Sequence, residues 1–178
     1  LIKNFRISDV NSSAAKFSQE LLDFYNNHYL REYEIIALYE YIENNFLLPD
    51  KFAKNPKKLE IIDLLRESAN NILQVVEDLS FFVFNPTLNE ELKASIKVDR
   101  DLMINFKEEL NEVDFKDKFL IGVFLDSFLN KNNLKFPMLG KPLRLILTGR
   151  SKAPSITDLL FLIGKKDSIQ RIDNYLET

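Results

Sequence analysis

Cysteine is absent from the 178 residues, and histidine occurs once, at His28. The first absence excludes disulfide bonds, thiol nucleophiles and cysteine-ligated metals, and the second excludes a histidine-rich metal centre. Glycine and proline number only 4 and 6, too few for a chain built of many tight hairpins. No apolar run approaches the roughly 20 residues that a membrane-spanning helix requires, and we expect no signal peptide. We therefore expect no membrane partner and a cytoplasmic location.

The residues that are present favour helices. Hydrophobic residues make up 46% of the chain and charged residues 29%, and apolar residues recur with the i, i+3, i+4 spacing of amphipathic helices. This spacing predicts helices at residues 16–31, 32–45, 59–76, 115–129, 142–148, 155–164 and 167–176, a helical segment at 79–84 and two shorter helices within 87–110. The predicted fold is all-α, with two packed helical subdomains, residues 1–108 and 109–178.

Local signals mark several helix ends. Pro142 is suited to a first helical turn because its missing N–H is not needed there, and Gly149 is expected to end that helix. Ser155 and Asp158 have the spacing of a capping box. The apolar stripe from Phe115 to Phe128 is expected to be buried core, on a helix covered on more than one side.

The charge is distributed unevenly. Residues 131–178 hold nine basic and four acidic residues, whereas residues 1–130 carry a net charge of −8. Between residues 131 and 155 there are six basic residues and no acidic one. A positive field of this kind suits a polyanion, since phosphate contacts release counterions; a solvated basic face is the alternative interpretation. The predicted loop at residues 150–156 mixes cations with Pro154 and Ile156. Such a mixture resembles the surfaces that bind unstacked RNA bases.

Two segments resemble bacterial glutamyl-tRNA synthetase. Residues 142–172 (PLRLILTGRSKAPSITDLLFLIGKKDSIQRI) are similar to the family's C-terminal end, where P-L-R-x-x-L-T-G precedes a loop with a late Pro and a helix ending in L-G-K. Residues 10–32 (VNSSAAKFSQELLDFYNNHYLRE) are similar to the segment that joins the catalytic core to the anticodon-binding region. The two motifs occur in the family's order.

The resemblance implies a tRNA-binding fragment. The family's two ATP-binding signatures are absent, and the chain begins with Leu1 rather than Met, so we read it as a piece of a longer protein that lacks its catalytic half. The parent enzyme is expected to attach glutamate to tRNA(Glu), using ATP and Mg²⁺ in that missing half. The fragment is expected to form an anticodon-binding helical bundle, to be an inactive monomer without a cofactor or metal, and to bind no DNA.

The resemblance also implies site residues. In the family, one helix and the loop before the penultimate helix contact the first two anticodon bases. The positions of this chain that match those contacts are Arg144, Ala153, Pro154 and Ile156. Arg150 and Lys152 are expected to hold phosphates. The candidates for tRNA backbone contact or for orienting the junction helix are Asn26, Tyr29, Arg31 and Lys141.

The third anticodon base is expected to meet a different helix. Family members that accept only the glutamate tRNA tend to use an Arg there, and the alignment gives Ser68 in its place, with Arg66 two residues away. On a continuous helix, two residues correspond to about 200°, so Arg66 would face away. Since Ser lacks the forked donor of Arg, we hypothesise that the parent enzyme also accepts tRNA(Gln).

Other interpretations remain open at this stage. Arg144 could pair with Asp158 and brace two helices instead of contacting RNA. The chain could be a helical protein–protein adaptor that uses its acidic first 130 residues. It could also be a helical enzyme with paired carboxylates, although Glu60 and Asp63 are the only such pair singled out and no site surrounds them.

Overall fold

The structure is a computed structural model and describes residues 18–177. Within that range it contains helices and no strand, which confirms the all-α prediction. The twelve helices are α1 (Gln19–Glu32), α2 (Ile35–Asn45), α3 (Asp50–Ala53), α4 (Lys58–Arg66), α5 (Ile72–Asp78), α6 (Ser80–Val83), α7 (Glu90–Ser95), α8 (Arg100–Glu112), α9 (Lys118–Lys131), α10 (Phe136–Thr148), α11 (Ile156–Ile163) and α12 (Lys165–Leu176).

The helices pack in two sets joined by α6. In the first set, α4 packs against α1, α2 and α5, and α6 packs against α3 and α5. In the second set, α8 packs against α12, α9 against α11, and α10 against both α11 and α12. Since α6 also contacts α11, the first set reaches the helix that follows the basic segment.

The expected boundary between residues 108 and 109 falls inside α8, which is one continuous helix packed on α12. Residues 100–108 therefore pack with the second set of helices. The division of the chain into two subdomains stays a prediction.

The predicted helix at 59–76 is two helices in the structure. Helix α4 ends at Arg66 and α5 begins at Ile72, where the Asn71 side chain accepts a hydrogen bond from the Gln74 backbone N–H at 3.0 Å. An Asn at this point favours a new N-terminus over a continuous helix because its side chain satisfies a free N–H group. The predicted helix at 32–45 likewise begins later, at Ile35, with Glu34 as its N-cap.

Helix α10 begins earlier than predicted. Its first turn contains Pro137, and Pro142 lies inside the helix, so the prediction that Pro142 starts it is wrong. Pro142 has no N–H to donate to the carbonyl of Met138 one turn earlier. The end of the helix is as predicted, since Gly149 adopts the left-handed conformation with φ of 72°.

Helix α9 is buried on one side only. Phe128 is buried in the core with Phe106, and their ring centroids lie 5.1 Å apart in an edge-to-face arrangement. Phe119 is 71% exposed and Val123 is 46% exposed, so the prediction of a stripe buried throughout is wrong for these two residues. Across the part of the chain that the structure describes, no helix is both long and apolar enough to span a membrane.

Candidate nucleic-acid interface

Arg144 differs from the other arginines in residues 18–177. The side chains of Arg31, Arg66, Arg100, Arg150 and Arg171 all donate to carbonyl or carboxylate oxygens. The half-buried Arg144 side chain makes no such contact with any described residue, and its Nε atom is buried without an acceptor. A guanidinium that is partly removed from water and has no acceptor is poised to bind an external one.

Most of the exposed lysines without a partner belong to the same chain segment as Arg144. Within the described range, five exposed lysines make no hydrogen bond or ion pair: Lys97, Lys135, Lys141, Lys152 and Lys166. Three of the five belong to the segment that runs from the start of α10 into the loop after it. Two other cations of the basic segment are paired, Lys131 with Glu109 at 2.7 Å and Arg150 with Asp78 at 2.8 Å. The field around Arg144 is therefore positive after pairing is taken into account.

The loop between α10 and α11, residues 149–155, is fixed at both ends. The Thr148 hydroxyl donates to the carbonyl of Arg144 at 2.7 Å and accepts from the Arg150 backbone N–H at 3.1 Å. At the other end, the Ser155 hydroxyl accepts from the Asp158 backbone N–H at 3.1 Å, which is the N-cap half of the predicted capping box, and it donates to the Asp158 carboxylate rather than leaving that carboxylate to the Ser155 backbone N–H. These hydrogen bonds fix the two ends of the loop.

Within this loop the predicted contact residues differ in exposure. Lys152 is exposed, and Ala153 and Pro154 are half-buried, so these residues are accessible to a ligand. Ile156 is 1% exposed because it packs into the core as the first residue of α11. The prediction that its side chain offers apolar surface to a base is wrong.

Arg150 is held by groups from the first set of helices. Its Nη1 donates to Asp78, and its guanidinium carbon lies 5.2 Å from the centroid of the Phe81 ring. Burial raises the pKa of Asp78, and the Arg150 charge opposes that rise. Because Arg150 has five N–H donors, most remain available for the predicted phosphate contact.

The α4–α5 loop, residues 67–71, holds the third-base candidate. Ser68 is exposed in this loop and does not lie on a helix, so the helical-angle argument that relates it to Arg66 is wrong. Arg66 has a structural role, since its side chain is 13% exposed, pairs with Asp63 at 2.5 Å and donates to the carbonyl of Tyr33.

The two loops adjoin one groove. Glu67, next to Ser68, and Asp158, in the first turn of α11, line the same cavity of about 370 Å³. Asp158 pairs with Lys118 at 2.7 Å, so the alternative in which it braces Arg144 is wrong. The acidic side chains that line the cavity are Glu60, Asp63, Glu67 and Asp158. Lys118 lines the cavity too, and Asp63, Glu67 and Asp158 pair with Arg66, Arg31 and Lys118, so among the described residues Glu60 is the one carboxylate of the cavity without a partner.

Three of the four candidates for backbone contact or junction orientation lie on α1, whereas Lys141 lies exposed on α10. Arg31 donates to the carbonyl of Glu67 and lies 3.8 Å from its carboxylate, so it braces α1 against the α4–α5 loop. Tyr29 is exposed, and both Tyr29 and the half-buried Asn26 line an apolar groove of about 510 Å³. Asn27, which the sequence did not single out, makes the other brace, donating to the carbonyl of Ala69 at 2.7 Å.

Arg171 is a second residue that sequence reasoning missed. It is 1% exposed on α12 and donates to the carbonyls of Phe81 (2.6 Å) and Leu147. Burial lowers its pKa to about 10, and the nearby Asp167 opposes the shift. The sequence held one signal for this role, an Arg on the apolar face of a helix. Arg171 lies one residue before the buried Ile172 and three residues after the buried Ser168.

The described residues form helices, and unpaired cations lie along one of them and in the loop after it. This arrangement is typical of one class of protein, an RNA-binding domain. Comparison with known proteins identifies the family. The chain belongs to the anticodon binding domain family, whose family model matches residues 16–176, and so to a family that binds tRNA.

Relatives and solved structures agree with this assignment. The chain is 32% identical over 184 residues to glutamate–tRNA ligase 1 of Aliarcobacter butzleri, matching 99% of this chain and 38% of that protein. It is 29% identical to the glutamate–tRNA ligase of Nitrosomonas europaea, matching 99% of this chain and 39% of that protein. A crystal structure of a glutamate tRNA ligase from Elizabethkingia meningosepticum, in complex with its amino acid, superposes with a TM-score of 0.78 at 29% identity, covering 99% of this chain and 36% of that one. The chain thus spans about two fifths of the length of these relatives.

Proposed function

We propose that this chain is the anticodon-recognising part of a glutamate–tRNA ligase and that it binds the anticodon loop of tRNA(Glu) along α10 and the α10–α11 loop. The observation that carries the proposal is the half-buried Arg144 side chain, which has no partner in residues 18–177 and belongs to a segment with three exposed, unpaired lysines. Its forked donor would contact a base edge. Lys152 and Lys141 would hold phosphates on either side.

The proposed mechanism is recognition of unstacked bases. Proteins read single-stranded RNA loops by splaying the bases out and contacting their edges and faces. Pro154 offers rigid apolar surface to one such base, and the backbone groups of Ala153 offer a donor and an acceptor. The fixed ends of the loop reduce the conformational entropy that would otherwise be lost on binding.

Substitution of the two kinds of cation tests the proposal. Arg144→Ala should weaken binding of a tRNA(Glu) anticodon stem-loop by about 1–3 kcal/mol and relax selectivity at one base, because a bidentate contact is lost. Lys152→Ala should weaken binding to all loop sequences similarly and lower the salt dependence by about one counterion. Fluorescence anisotropy at several salt concentrations measures both effects.

Lys97→Ala is the matched control, since Lys97 is also exposed and unpaired in the described structure but lies between α7 and α8. It should leave binding unchanged. Equal, sequence-independent losses from Arg144→Ala and Lys152→Ala would refute the separate roles assigned to them.

For the whole protein, we propose attachment of glutamate to tRNA(Glu) in the cytoplasm, by a monomer. ATP and Mg²⁺ would bind in the part of the relatives that this chain does not match. Across residues 18–177, no group of three or more His, Asp or Glu side chains is arranged to hold a metal ion. The contribution of these residues would be to orient the tRNA.

Acceptance of tRNA(Gln) is a further part of the proposal. The exposed Ser68 has no forked donor, and Arg66 cannot replace it because Asp63 and the carbonyl of Tyr33 hold its guanidinium. Stem-loops with the glutamate and glutamine anticodons should bind with affinities within a few-fold of each other. Ser68→Arg should create a preference for the glutamate anticodon; strong rejection of the glutamine anticodon by the unaltered chain would end this idea.

The adaptor alternative has one observation in its favour. The groove beside α1 is apolar, and exposed side chains of Leu22, Tyr29, Tyr33, Tyr41 and Leu73 line it. An exposed patch of this kind suits a protein partner. A chain that bound no anticodon stem-loop would favour the adaptor, whereas stem-loop binding that depends on Arg144 favours RNA recognition.

A further inference from the structure

A third pocket lies beside Arg150. It has a volume of about 280 Å³ and is formed by the segment that follows α6 and by the end of α10. The lining residues are Ser80, Phe84, Asn85, Pro86, Thr87, Thr148, Gly149 and Arg150. Because Gly149 and Arg150 also belong to the α10–α11 loop, the pocket is continuous with the proposed RNA surface.

The lining groups combine an aromatic face with polar donors. Phe84 is 59% exposed at the pocket, and Arg150 presents the donors that Asp78 does not use. The hydroxyls of Ser80 and Thr87 make no hydrogen bond with any described residue. Asn85 uses its Oδ1 to accept from Arg171 at 3.3 Å, which leaves its amide N–H groups free to donate.

The pocket is preformed, because Arg171 ties its two walls together. One Nη1 atom of Arg171 donates to the carbonyl of Phe81 on one wall and to the carbonyl of Leu147 on the other. The walls also approach closely at Gly149, where a Cβ atom would lie 3.1 Å from the Cβ of Pro86. A pocket held from behind by a buried arginine is a fixed feature and loses little entropy on filling.

We propose that this pocket takes one unstacked nucleotide of the anticodon loop, with its base on the ring of Phe84 and its phosphate at Arg150. An exposed aromatic ring beside an arginine is the usual arrangement for a single-stranded nucleotide, since every base has a face that can stack. The nucleotide differs from the one that Arg144 contacts, because neither Arg144 nor Pro154 lines the pocket. This inference rests on the proposed function.

The test uses tRNA(Glu) anticodon stem-loops that carry the fluorescent base 2-aminopurine at one loop position at a time. The unaltered chain should change the fluorescence at several positions as bases unstack. Phe84→Ala should abolish the change at one position and weaken binding by about 5- to 150-fold, the range for loss of one stacked base. Phe84→Tyr should retain both the fluorescence change at that position and the binding affinity.

Phe119→Ala is the matched control, since Phe119 is an exposed phenylalanine on α9, outside this pocket. It should behave as the unaltered chain does. The inference is overturned if Phe84→Ala binds normally and leaves the signal at every position unchanged while Arg144→Ala still weakens binding. If the unaltered chain binds no stem-loop, the proposed function fails, and this inference fails with it.

Discussion

Arg144 lies on α10 and Arg150 lies in the loop after it, and only Arg150 has an ion-pair partner among the described residues. Arg150 pairs through one donor with Asp78, 72 positions earlier in the chain, whereas no described carboxylate pairs with Arg144. Sequence alone treats them as two cations of one basic segment. The structure assigns Arg144 the free guanidinium and Arg150 a guanidinium already oriented by a carboxylate and an aromatic ring.

The titration of Asp78 gives a prediction at this scale. Because burial raises its pKa above the ordinary 3.8, the folded chain holds the proton more tightly than the unfolded chain does. The contribution of Asp78 to the free energy of unfolding is therefore greatest at pH values below its ordinary pKa. It declines as the pH rises through the raised pKa of the folded chain. The free energy of unfolding of the unaltered chain relative to Asp78→Asn should therefore fall as pH increases above 3.8.

Urea unfolding at a series of pH values measures this difference. Arg150→Met, which removes the partner and keeps the carboxyl, is the companion variant and should steepen the decline, because the Arg150 charge opposes the rise in pKa. A stability difference that grew with pH would mean that pairing with Arg150 outweighs burial.

At the scale of the helices, Arg171 gives a prediction about packing. Arg171→Met would leave the carbonyls of Phe81 and Leu147 and the side chain of Asn85 without a donor. Loss of buried hydrogen bonds to a charged group should lower the free energy of unfolding by on the order of 3 kcal/mol. Because Leu147 precedes the α10–α11 loop, stem-loop affinity should also fall at temperatures where the variant is folded.

Arg100→Met provides the comparison, because Arg100 too donates to a backbone carbonyl, that of Leu176 at the end of α12. It should cost about 1 kcal/mol of stability, the value of one partly buried hydrogen bond, and leave RNA affinity unchanged. Equal losses of RNA affinity from both variants would show that Arg171 does not position the loop.

What sequence reasoning predicted about these elements depended on local chemistry. Ser155, Asp158 and Gly149 act through neighbours within one turn, so the ends of α10 and α11 were predictable. Pro142 satisfied the same local rule as Pro137, and only the packed helix distinguishes them. Contacts over long separations, such as Arg66 with Tyr33, leave no local signal, and the identity of the exposed face of α9 depends on what α9 packs against.

At the scale of the whole molecule, the two sets of helices carry opposite charges and contribute to one surface. The second set supplies Arg144 and the unpaired lysines, and the first supplies Asp78, Phe81 and the α4–α5 loop, which adjoins the same acidic groove as α11. The unpaired cations lie along α10 and in the loop after it. A polyanion would therefore bind along α10.

The most direct measurement is the change in backbone amide NMR shifts of this 20.8 kDa chain as a tRNA(Glu) anticodon stem-loop is added. We predict that the largest changes cluster in residues 141–154 and in residues 67–71, with changes near Phe84, and that those along α1 are small. Changes centred on the apolar groove beside α1, with residues 141–154 unaffected, would contradict the account.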